Sequence, residues 1–353
     1  MKKAFALALV AVLALSVVFA NGAQEASAKL KVGMVTDSGT IDDRSFNQGT
    51  YEGVIKAANE LGYESTYLRP SGTTTSHYVE AIYALYDQGY SFVACPGFLF
   101  SEAVGQVQAE AKDLKLAIID DGLDMVGGPA ANTVAILFKE HESGFLAGLA
   151  TALKIQSGDV GFVGGMEIPS VQKFNWGFQQ GVKYANENLG TKVSMKAENF
   201  VYSGSFSDLA LGQQLANAMY ARGVKAIFAA AGSTGVGVIN EAKNRRLSGQ
   251  DIWAVGVDVD QYSVGDMNNG QSCILTSAMK DVAGVAYDMV KAVADGTFPG
   301  GQTLVLGIKE DRAGIPASNP NLTPEIEKKV AEVVDLIKAG KVTVADNGNG
   351  LIK

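Results

Sequence analysis

Leu30-Lys31-Val32-Gly33-Met34-Val35, followed by Thr36-Asp37-Ser38-Gly39-Thr40-Ile41-Asp42-Asp43-Arg44-Ser45-Phe46-Asn47-Gln48, is the stretch that decides the fold. The run Leu30 to Val35 reads as a buried strand. From Gly49 to Leu61, Val54, Ala57, Ala58 and Leu61 recur at helical spacing. A polar turn between a parallel strand and a helix is where open α/β sheets place their ligand sites. This turn gathers carboxylates, an amide and an aromatic ring. Such a set suits a ligand with both hydroxyls and a flat ring.

The same alternation continues outward. Strand-like runs fall at 30–36, 63–68, 91–95, 115–119, 133–138, 158–163, 193–200, 225–230, 252–257 and 272–278. Helical runs fall at 76–89, 100–112, 139–154, 171–189, 206–222, 234–246, 280–295 and 323–339. Most of the strands are apolar throughout, as parallel strands covered on both faces must be. The class is therefore α/β, built from right-handed βαβ units. The pattern restarts near residue 157. There Val160-Gly161-Phe162-Val163-Gly164-Gly165 and the helix from Phe174 to Ala185 echo the opening strand and helix. Two similar α/β halves are expected. The tail after Ala339 reads as a final strand or a surface segment.

Met1-Lys2-Lys3, the apolar run Ala4 to Phe19 and Ala20-Asn21-Gly22-Ala23 have the layout of a secretory signal peptide, with cleavage expected after Ala20. No Cys lies near that zone to accept a lipid, so an exported, freely diffusing protein is expected. Net charge is −8, with no basic run beyond Asn244-Arg245-Arg246, which argues against nucleic acid or anionic membrane as partner. Cys95 and Cys273 are the only cysteines; free buried thiols or a single bridge both fit.

Candidate chemistry sits at strand ends. Asp37 ends the first strand, while Ser38, Asp43 and Ser45 are better placed to cap the next helix. Phe46 and Asn47 open that helix; Asn47 could offer an amide to a polar ring edge. Asp120-Asp121 and Asp258 with Asp260 close two further strands. Carboxylate pairs can hold a cation, but spacing alone does not set their separation, and a sugar diol suits a single charged acceptor better. No metal or cofactor is expected. Gly232-Ser233-Thr234-Gly235 opens a helix with free amides, yet neither G-x-x-x-x-G-K-[ST] nor a proper G-x-G-x-x-G is present. Phe206 starts another helix between two serines, and Lys280 follows a strand. Two rings across a crevice with carboxylates deeper in would suit a nucleoside. An enzyme is not expected. There is no G-x-S-x-G elbow, His141-Glu142 lacks the second His of H-E-x-x-H, and neither His77 nor His141 has a Cys or another His nearby in sequence.

Asp37-Ser38-Gly39, Ile41 to Gln48, Gly232 to Ile239 and Gly256-Val257-Asp258-Val259-Asp260-Gln261-Tyr262 together resemble the basic membrane protein family, and within it the purine nucleoside receptors. The likeness runs from about Lys31 to the tail. It implies a type I periplasmic-binding-protein fold, in which two Rossmann-like lobes with parallel sheets are joined by a three-strand hinge. The crossings are expected near residues 138, 258 and 295. That gives an N-terminal lobe of 30–138 plus 259–295 and a C-terminal lobe of 139–258 plus 296–353. The resemblance implies that Phe46 and Phe206 sandwich a purine and that Asn47 and Asp120 lie near the base. Asp37, Gly232, Asp258 and Lys280 would meet the ribose. It implies a monomeric binding protein for purine nucleosides that serves an ABC-type nucleoside permease. A sugar or autoinducer receptor of the same fold, a nucleoside-processing enzyme and a surface antigen are the competing readings.

Overall fold

The computed structural model describes residues 30–352, so the expected signal peptide at 1–20 lies outside the described residues. The chain runs β1 (Lys31–Val35), α1 (Phe46–Leu61), β2 (Glu64–Leu68), α2 (Thr75–Tyr86), β3 (Phe92–Pro96), α3 (Ser101–Glu110), β4 (Lys115–Ile119) and β5 (Thr133–Phe138). It continues through α4 (Glu140–Ile155), β6 (Ser157–Gly164), α5 (Pro169–Asn188), β7 (Lys192–Tyr202), α6 (Leu209–Ala221), β8 (Val224–Ala230), α7 (Gly232–Leu247) and β9 (Trp253–Asp258). The last elements are β10 (Ile274–Lys280), α8 (Val282–Ala294), β11 (Thr303–Leu306), β12 (Ala313–Gly314) and α9 (Pro324–Lys338).

Two six-stranded sheets result, ordered β11-β5-β4-β3-β1-β2 and β12-β10-β9-β8-β6-β7. Apart from the antiparallel β10–β12 pair, all the strand pairs are parallel. The two orders are the same, so the restart near 157 is a repeat of topology. Each is a doubly wound order with its switch point beside the first strand, the position that favours a ligand crevice. Side chains of β3 alternate between two cores, Phe92 and Ala94 on one face, Val93 and Cys95 on the other. In the second sheet Phe162 and Phe228 face one core, Val163 and Ile227 the other. Both faces being covered explains the unbroken apolar runs.

The sheets divide the chain differently from 30–138 plus 259–295. β10 pairs with β9 in the second sheet, with Ala278 opposite Val257, and Leu275 and Ala278 belong to the second lobe's core. The chain crosses after Lys280, and α8 then packs on α1 in the first lobe. β11 next adds to the first sheet beside β5, with Leu304 opposite Ile136. Only after Leu306 does the chain return, to β12 and to α9, which packs on α4. The crossings therefore lie near 139, 281 and 307, and 258 and 295 are not crossings. The segment from 259 to 273 joins neighbouring parallel strands without a helix, which hides the true partner of β10 in the sequence.

Helix packing in the second lobe is unusually close. A Cβ on Gly148 of α4 would stand 2.1 Å from the Phe178 carbonyl oxygen, and one on Gly181 of α5 would stand 2.0 Å from that of Phe145. Only glycine allows these backbones to touch. The tail forms no strand; it lies along α5, where Gln180 and Gln179 each exchange two hydrogen bonds with the backbone of Ala345 and Ile352. Cys95 and Cys273 are both free and buried, which leaves no bridge.

Candidate functional site

The strand ends of the two sheets face each other across a cleft of about 580 Å³, its open mouth included. All eight residues expected at the site, Asp37, Phe46, Asn47, Asp120, Phe206, Gly232, Asp258 and Lys280, line it. Four come from each lobe, because β10 delivers Lys280 from the second sheet.

The first lobe's side is organised around Asn47. Its Nδ2 donates to Asp37 Oδ1 at 2.9 Å and to Asp43 Oδ2 at 2.9 Å, while its Oδ1 accepts from the Asp37 amide at 3.1 Å. The amide expected to face a ligand is thus committed to two carboxylates. Asp43 is the cap of α1, accepting from the amides of Ser45, Asn47 and Gln48. That frees Ser45 Oγ to reach across and donate to Asp258 Oδ2 at 2.6 Å. Burial pushes Asp37 up to about 6, against the bonds from Gly39 and Asn47. Burial likewise raises Asp43.

On the second side, Phe206 leaves the loop after β7 with its ring over Gly165, where a Cβ would come within 2.2 Å of it. Gly232 opens α7 with φ +54°, and a Cβ there would stand 3.0 Å from the Phe206 carbonyl oxygen. Phe174 of α5 adds a third ring to the lining, and Phe98 a fourth. Nothing in the sequence marks Phe174, which reads as one more apolar residue of an amphipathic helix.

Lys280 occupies the floor, 3% exposed. Its ammonium bonds Asp120 Oδ2 and lies 3.7 Å from Asp258 Oδ1 and 3.8 Å from Glu140 Oε1. It also stands 4.5 Å from the centre of the Phe46 ring, which favours a cation at that face. Burial opposes its charge, but Asp120, Asp258 and Glu140 together hold it protonated well above the usual lysine range. Burial pushes Asp258 up to about 6, with Lys280 pulling the other way. Asp120 and Asp258 both have left-handed backbone, φ +68° and +63°. That conformation costs about 1–3 kcal/mol at a non-glycine residue and gathers at functional sites. Asp120 Oδ1 is buried with no partner among the described residues. A buried acceptor left bare is costly unless something else fills its valence.

Asp121 and Asp260 do not join the floor; they accept from the Leu123 and Tyr262 amides in local turns. His77 sits in the capping box of α2 with Thr74. His141 is 8% exposed, and burial pushes it down to about 4, so it is a neutral core residue.

A family model described as ABC transporter substrate-binding protein PnrA-like, Bmp, matches residues 30–348. A CD4+ T-cell-stimulating antigen of Listeria innocua is 32% identical over 368 residues, covering 98% of this chain and 99% of that protein. Basic membrane protein A of Borreliella afzelii is 34% identical over 320 residues, covering 90% and 92%. The ABC transporter nucleoside-binding protein BmpA of Lactococcus lactis subsp. cremoris is 31% identical over 324 residues, covering 89% of each. Among solved structures, an ABC transporter solute-binding protein of Aeropyrum pernix K1 superposes with a TM-score of 0.78 at 25% identity, covering 91% of this chain and 95% of that one.

Proposed function

The chain belongs to the Bmp family of PnrA-like ABC transporter substrate-binding proteins, and from that premise we propose that the solute it captures is a purine nucleoside. The observation that carries this reading is one ring from each lobe, Phe46 and Phe206, above a floor of Asp258, Lys280 and Asp120. The rings stack on the base, at roughly 1–3 kcal/mol each. Asp258 and Lys280 take the ribose hydroxyls, with Asp37 and the Gly232 amide beside them. Asp120, with its bare Oδ1, accepts from a ligand N–H or O–H. Among the described residues Lys280 is the cation lining the floor, and it is already shared among Asp120, Asp258 and Glu140, so a neutral nucleoside fits better than a phosphorylated one. The Lactococcus relative is named for nucleoside binding, which agrees.

Capture proceeds by closure about the three crossovers. A ligand held between residues of both lobes favours the closed state by its extra contacts there. Thr40 Oγ1 of the first lobe and Ser233 Oγ of the second already meet at 3.4 Å. The reading assigns a monomer that is exported, hands its ligand to an ABC-type nucleoside permease and catalyses no reaction. Calorimetric titration of unfolded and refolded protein with guanosine, adenosine, inosine, cytidine, ribose and glucose tests it. Refolding strips any nucleoside retained through purification. Heat from the purine nucleosides, with weak or absent response to ribose and glucose, is the expected result. Heat from a sugar alone, or release of free base from inosine, overturns it.

A further inference from the structure

Lys280 ends β10, at the second passage between the lobes, and Glu140 opens α4, at the first. The two side chains meet under the cleft floor, Oε1 to Nζ 3.8 Å, with 2% and 3% exposure. Two residues on, Glu142 Oε2 accepts from the Ile308 amide at 2.7 Å, at the third passage. One turn of α4 thus touches all three crossovers. A carboxyl that served only to complement the helix N-terminus could do so from the surface. Glu140 is instead buried, which costs several kcal/mol unless a partner offsets it. Its Oε2 has no hydrogen-bond partner among the described residues, and Lys173 stands 4.0 Å away. Lys280 is the cation it shares with the cleft. Glu140 itself does not line the cleft.

We infer that Glu140 is a positioning residue, which fixes the Lys280 ammonium over the floor of the cleft and ties that placement to the hinge. The inference rests on Lys280 meeting the ligand, as proposed above. Burial and the neighbouring Asp120 carboxylate push Glu140 up to about 8, with Lys280 pulling the other way, and glutamine keeps both its shape and an acceptor oxygen for the ammonium.

The test compares wild type, Glu140→Gln and Glu140→Ala, all refolded, by guanosine calorimetry at pH 7. The 15N-ammonium NMR signal of Lys280 is read in the same proteins without ligand. Expected are a loss of affinity of about tenfold or more in Glu140→Ala, since truncating one partner of a buried pair exposes the other, and a displaced or broadened ammonium signal. Glu140→Gln retains both affinity and signal. If Glu140→Ala does not fold, Glu140→Asp, which keeps the acid one methylene short, takes its place. Wild-type affinity and an unmoved signal in the truncated variant overturn the inference. So does equal loss in both variants with the signal unmoved, since that marks mere packing. If wild type binds no guanosine, the nucleoside reading fails, and the ammonium signal alone decides: displacement in the truncated variant upholds the placement, stillness overturns it.

Discussion

Asp258 and Phe206 carry the two halves of the proposed recognition, hydroxyl capture and stacking. Phe206→Ala removes one wall of the stack and weakens purine nucleoside binding by at least about tenfold, within the roughly 1–3 kcal/mol of one stacked base. Asp258→Ala does the same through the ribose. Calorimetry checks affinity, and circular dichroism checks that the fold is retained. Asp37 allows a prediction about pH. Burial raises it to about 6 in the folded protein, whereas the unfolded chain loses that proton near pH 4. Its contribution to stability is full below pH 4 and is lost as pH rises toward 6. Asp37→Asn keeps the acceptor for Gly39 and Asn47 but has no charge to bury. Without ligand, urea unfolding should show the variant gaining about 2–3 kcal/mol on wild type between pH 4 and pH 7, with no further gain above. The strand-end aspartates were readable because a carboxylate after an apolar run has few other uses. Asn47 was readable as a position but not in its bonding. The sequence cannot show that Asp43 would also claim its amide. Glu140 and Phe174 gave no sign at all, since their neighbours in space lie far away along the chain.

At the level of elements, the contact between α4 and α5 is set by glycines whose missing side chains are occupied by carbonyl oxygens. Backbone cannot move aside as a flexible side chain can. Gly181→Ala places a methyl 2.0 Å from the Phe145 carbonyl oxygen, and the helices must separate. We expect a loss of about 3 kcal/mol or more, at the upper end of overpacking costs, read as a lower urea midpoint with the slope unchanged. Gly190→Ala, at a residue with open space around it but φ +79°, should cost less. Element types were legible from periodicity because both sheets are buried on two faces. The edge strands β11 and β12 carry no such signal. Thr303–Leu306 alternates exposed and half-buried residues, and Ala313–Gly314 is only two residues long. β10 is legible as a strand but its lobe is not, because an apolar strand looks the same whichever parallel sheet it completes.

Over the whole molecule, the eight proposed site residues come four from each lobe, and Thr40 of the first lobe meets Ser233 of the second. Replacing both by cysteine should give a bridge that holds the lobes shut. The native thiols will not compete, since burial raises both and pushes Cys273 up to about 12. In the oxidised double variant, release of bound nucleoside should slow by about tenfold or more relative to the reduced form, because exit then needs the lobes to open. Stopped-flow displacement measures it, and equal rates in both forms would mean the ligand leaves without hinge opening. The triple passage of the chain has a consequence for synthesis. The first sheet takes its last strand from Thr303–Leu306, after the whole second sheet except β12 has been made. A nascent chain cannot finish one half and then begin the other. Any product truncated before residue 303 leaves β5 as a bare edge, open to pairing with a neighbouring copy, so an early stop should yield aggregate and not a smaller working domain.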